Sequence, residues 1–97
     1  MTQEEKNGAL VIRVEGSINT MTSLEFKDAL LEALSANQQV VVDMEQTDMV
    51  SSSGLRVILL GVKTATSQQK QLMFKNFNED IKEVFDMTGV GEFLTVN

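Results

Sequence analysis

Short runs rich in β-branched and alternating apolar residues take turns along this chain with stretches of helical periodicity, and that alternation limits the possible folds most. In "ALVIRVEG" (residues 9–16), Leu10, Ile12 and Val14 fall on one side while Arg13 and Glu15 fall on the other, which is the pattern of a strand with one buried face. "QVVVDM" (39–44) reads as an inner strand buried on both faces, and "QLMFKNF" (71–77) as the next strand. Between the first two strands, Leu24, Phe26, Ala29, Leu30, Leu31, Ala33 and Leu34 recur near helical spacing, with Ser23 as a cap and Asn37 as a stop. Leu55, Ile58, Leu59, Val62 and Ala65 form a second helical stripe, which Val57 and Leu60 widen, so this helix should pack on two sides. A third helix over 78–89 has Asn78 as cap, Glu79 and Asp80 in its first turn and Gly89 as its left-handed terminator. "GEFLTVN" (91–97) supplies a last short strand, and a short extra strand before Asn7-Gly8 is a further candidate. The order β-α-β-α-β-α-β implies one α/β domain over residues 1–97. Its sheet should be mostly parallel, four- to five-stranded, with right-handed βαβ crossover helices.

Composition removes several kinds of chemistry. The 97 residues include no cysteine and no histidine, which takes away thiol nucleophiles, thiolate metal sites and the commonest general base. Eight basic against fourteen acidic residues give a formal charge of −6, which would repel a nucleic-acid backbone or an anionic membrane surface. The acidic N-terminal stretch has no apolar core of a signal peptide, and no apolar run approaches the ~20 residues of a membrane span. The expectation is a cytoplasmic domain that meets a protein partner, with no nucleic acid and no membrane insertion.

Function in open α/β sheets gathers in loops beyond the carboxyl ends of strands. Two loops qualify here, "GSINTMTS" (16–23) and "EQTDMVSSSG" (45–54), and both lead into helix N-termini. One of Ser51, Ser52 and Ser53 would cap the second helix, and the remaining hydroxyls would be exposed where a helix dipole favours a phosphoryl group. None of the serines is a nucleophile, because no histidine is present and Lys63 lies about two turns down the same helix. "SSSG" lacks the leading glycine of a nucleophile elbow, and the glycines form neither a P-loop nor a dinucleotide fingerprint. Asp43, Glu45 and Asp48 read better as a solvated rim than as a metal site. No catalytic residue, metal or cofactor is expected, and the chain is not expected to be an enzyme. A nucleotide or other small-molecule site would rest only on the two helix N-termini facing one mouth. Met44, Met73 and Met87 read as core filler, whereas Met21 and Met49 lie beside the serine loop and suit a protein interface. Arg56, in the first turn after the serines, has Asp48 or a partner as candidate counter-ion.

These residues resemble the STAS domain, shared by bacterial anti-sigma factor antagonists and the tails of sulfate transporters. The likeness runs through "VEGSINTMTSLEFKDAL", "VVVDMEQTDMVSSSGLRVILL" and "NEDIKEVFDMTGVGEFLTV", and so covers almost the whole chain. The middle segment is the most specific: a hydrophobic strand ending in Asp, a loop, then a Ser-Gly-Leu sequence opening a helix. The resemblance implies a free-standing antagonist whose serine two residues before the glycine is phosphorylated by an anti-sigma factor serine kinase of the histidine-kinase-like ATPase fold. A serine phosphatase would restore it. On this chain the acceptor is Ser52. The partner-binding surface implied around it comprises Asn19, Met21, Met49, Ser51, Ser53, Gly54, Leu55 and Arg56. The family commonly has Asp where this chain has Ser51, and Asp where it has Asn19, so two negative charges near the acceptor are missing. STAS domains also serve as constitutive interaction modules in transport or signalling complexes without a phosphate cycle, which is the alternative the missing aspartates favour.

Overall fold

The computed structural model describes residues 1–89, and the strand expected at 91–97 lies outside the described residues. The chain opens with a hairpin: β1 (Thr2–Lys6) pairs antiparallel with β2 (Ala9–Arg13). Its two-residue turn is Asn7-Gly8, both at positive φ, the conformation that matches the twist of the flanking strands. β3 (Gly16–Ile18), α1 (Ser23–Ala36), β4 (Gln39–Asp43), β5 (Thr47–Val50), α2 (Ser52–Ser67), β6 (Gln71–Lys75) and α3 (Glu79–Thr88) follow. The main sheet has the order β1-β2-β4-β6, parallel from β2 onward, and β3 and β5 form a separate two-stranded parallel sheet. The α/β class and mostly parallel sheet therefore stand as expected from the sequence. The two loops read there each contain a short strand instead.

Parallel register places Ile12, Val42 and Phe74 side by side, with Val40 and Leu72 in the neighbouring row. This face is the core, closed by Phe26, Leu30 and Leu34 of α1, Ile58 and Val62 of α2, and Ile81 and Phe85 of α3. Phe85 packs edge-on against Phe74 and Phe77, with ring centroids 6.0 and 5.1 Å away. The opposite face carries Val11, Val41 and Met73. Val41 and Met73 are only half-buried, so β4 is an inner strand in pairing but not fully covered on both faces. Met44 is core as expected, whereas Met87 is 79% exposed. It lies six residues beyond Ile81, off the stripe that Ile81 and Phe85 set one turn apart.

Three of the four expected helix-end residues hold. Asn78 accepts from the Ile81 N–H at 2.9 Å, and Gly89 takes the left-handed conformation. Asn37 closes α1, its side chain donating to the Ala33 carbonyl at 3.1 Å. Ser23 does not cap α1: it is already helical, and Thr22 occupies the cap position without a side-chain cap bond.

Asp43 ends β4 with its side chain only 10% exposed. Its carboxylate accepts from the Glu45 N–H and the Asn76 side chain, both at 3.1 Å, and lies 3.7 Å from Arg13 Nε. Arg13 also donates to Glu4, holding that carboxyl below its ordinary pKa, first by the hydrogen bond and then by charge. Asp43 is thus a structural staple joining the carboxyl ends of β2, β4 and β6 rather than part of an open rim. Asp43→Ala is expected to lower the unfolding free energy by about 2 kcal/mol, because charged hydrogen bonds are lost at a mostly buried site. Urea denaturation measures this.

Candidate functional site

The small sheet brings the two candidate loops together. Ser17 pairs with Met49 and Ile18 with Val50, so the chain leaving β3 and the chain leaving β5 emerge side by side. The Ile18 carbonyl accepts from the Ser51 N–H at 2.8 Å, and buried Thr47 fixes the base of the unit by donating to the Val14 carbonyl at 2.7 Å. Asn78 adds a third tie, donating to the carbonyls of Thr47 and Asp48 from the start of α3.

Of the three serines, Ser51 is the cap. Its backbone is extended, and its hydroxyl accepts from the Gly54 N–H at 3.3 Å. Ser52 is then the first residue of α2 and is exposed, while Ser53 is half-buried, its hydroxyl 3.3 Å from that of Thr20. The β3–α1 loop is organised by Asn19, whose side-chain oxygen accepts from the N–H groups of Met21 and Thr22 at 2.9 and 3.1 Å. Thr22 returns the contact, accepting from the Asn19 N–H and donating to the Ser17 carbonyl. Asn19 and Ser51 therefore make hydrogen bonds that a carboxylate acceptor could also make, with the charge removed.

Large apolar side chains of the two loops and the start of α1 are exposed. Met21 is 90% exposed, Leu24 64% and Met49 47%. Thr20 and Leu24 were not among the expected site residues. Leu24 falls two positions before Phe26 and off the buried stripe of Phe26, Leu30, Ala33 and Leu34, which was the available signal. Thr20 carried no local signal, because its contact with Ser53 spans 33 positions. Gly54 is buried, so it supports the surface instead of forming it, and Leu55 is half-buried against the core. Arg56 is exposed, and among the described residues it takes part in no ion pair, with Asp48 or otherwise.

The STAS_2 family model, described as "Mlab, STAS domain", matches residues 1–96. The chain belongs to the STAS domain family. Among curated relatives of this STAS domain is BtrV of Bordetella bronchiseptica, named a candidate anti-sigma factor antagonist; it is 28% identical, the match spanning 92% of this chain and 78% of the relative. A Thermotoga maritima protein of similar designation has a crystal structure that superposes with a TM-score of 0.90 at 14% identity, over 98% of this chain and 83% of that one. The Bacillus cell fate determinant SpoIIAA, solved in its phosphorylated form, gives 0.79 at 17% identity, over 99% and 89% of the two chains. At these identities the two solved structures establish the fold of this STAS domain.

Proposed function

We propose that this STAS domain is an anti-sigma factor antagonist, cytoplasmic, that binds an anti-sigma factor serine kinase of the histidine-kinase-like ATPase fold while Ser52 is unmodified. The kinase phosphorylates Ser52 and is thereby released, and a serine phosphatase resets the cycle, so that sigma-factor-dependent transcription follows the phosphorylation state. The observation that carries this reading is one exposed hydroxyl, Ser52, at the first position of α2, with Met49 exposed on β5 and Met21 exposed on the β3–α1 loop that meets α2 through Thr20 and Ser53. Ser51 does the capping, so Ser52 is not needed to hold the helix. The relatives named anti-sigma factor antagonists support the class of function, and the phosphorylated SpoIIAA structure supports a phosphate cycle within the fold.

The test is phosphopeptide mapping after incubation with the cognate kinase and ATP. Label is expected on Ser52; label on Ser51 or Ser53 overturns the residue, and an unlabelled chain overturns the cycle. A second reading is a constitutive interaction module of a transport or signalling assembly. It is favoured by neutral Asn19 and Ser51 standing where aspartates are common. Stable co-purification with a membrane transport complex, unaffected by Ser52→Asp, would select it.

A further inference from the structure

We propose that Arg56 is a positioning residue that grips the phosphate carried by Ser52, an inference that rests on the assignment of Ser52 as acceptor. Ser52 and Arg56 stand four residues apart on α2, and both are exposed. At that spacing their Cβ atoms lie roughly 5–6 Å apart on one helix face, and the favourable order puts the anion nearer the N-terminus, as here. α2 carries two cations, Arg56 and Lys63, and no carboxylate over its whole length, within a chain of net charge −6. Lys63 lies eleven residues beyond Ser52, roughly 16 Å along the axis, so only Arg56 is within reach. Among the described residues Arg56 makes neither an ion pair nor a side-chain hydrogen bond, and although the serine loop carries the acidic Glu45 and Asp48, neither pairs with it. A planar guanidinium suits two phosphate oxygens at once, which a lysine ammonium does not. With neutral Asn19 and Ser51 where aspartates are common, Arg56 is in no ion pair among the described residues, and a phosphate on Ser52 would supply one.

The experiment installs phosphoserine at position 52 of the full chain during translation, so that no kinase is required, and titrates it by phosphorus NMR. The second phosphate pKa, ordinarily about 6, is expected to be lowest with Arg56, intermediate in Arg56→Lys, and higher by about half a unit or more in Arg56→Gln. The thermal midpoint of the phosphorylated chain should also fall in Arg56→Gln, with little change in the unphosphorylated chain. Identical titration curves for wild type and Arg56→Gln overturn the proposal. Failure of a kinase to label Ser52 is a separate result, which removes the acceptor assignment and with it the physiological role of the pair.

Discussion

Ser52→Asp is expected to weaken binding to the partner kinase about 100-fold, a loss of about 2.7 kcal/mol, while the thermal midpoint stays level or rises by a few degrees. Two electrostatic effects oppose each other at this position. A carboxylate in the first turn of α2 gains about 0.3–1 kcal/mol from the helix dipole. The same charge under a docked partner must leave water, at a cost of several kcal/mol. The exposed apolar side chains that the neighbouring segments offer, Met21, Leu24 and Met49, cannot replace the lost hydration. Arg56 can pair with the carboxylate, but an ion pair must still be desolvated when the interface closes. The interface therefore loses and the fold does not.

Calorimetric titration with the kinase, alongside a thermal melt of each variant, separates the outcomes. Ser52→Ala should bind like wild type and resist labelling. Wild-type affinity in Ser52→Asp would remove the charge-driven release, and a fallen midpoint would mean that the serine has a structural role instead. A true phosphate, with a charge of about −1.5 to −2 at pH 7, should weaken binding further than the carboxylate does.

What the sequence disclosed and what it withheld divide along the range of the interactions concerned. Asn78 and Gly89 were legible because a cap acts on its own neighbours: Asn78 reaches Ile81, and Gly89 only has to turn. The strands of the main sheet were legible because each runs long enough to show a pattern. β3 and β5 were not, since three and four residues carry no periodicity and their pairing joins positions about thirty apart. The cap of α1 was misplaced for a related reason. Thr22 holds that position without a side-chain cap bond, Asn19 orders the preceding turn by accepting from Met21 and Thr22, and Ser23 is already inside the helix. The serines show the boundary most clearly. Sequence left the cap open among three residues, and the choice of Ser51 follows from the Ile18 carbonyl that holds its N–H, a contact spanning 33 positions.

Gly54 looked like part of a motif, and the packing gives it a reason that leads to the second large expected effect: Gly54→Val should destabilise the fold by about 3 kcal/mol. A Cβ at this position would stand 2.6 Å from Ile18 Cγ2, 2.8 Å from the Ile18 carbonyl oxygen and 3.0 Å from Val50 Cγ1. The side-chain contacts could yield by rotation, but the carbonyl cannot, because it is already held by the Ser51 N–H at 2.8 Å. Relief requires α2 to slide away from β3, breaking that bond and shifting Ser52 relative to Met21. Helix propensity argues the other way, favouring alanine over glycine by about 1 kcal/mol, so Gly54→Ala should be milder than Gly54→Val yet still destabilising. Gly61 provides the control. Its Cβ would meet Leu30 Cδ2 at 2.5 Å, the end of a side chain that can turn aside, so Gly61→Ala should cost less than Gly54→Ala. Urea denaturation of the three variants decides the order, and a Gly54→Ala chain as stable as wild type would show that α2 does not press on β3 as described. Where Ser52→Asp loses binding alone, Gly54→Val should lose stability and partner affinity together, because the glycine sets where the serine stands.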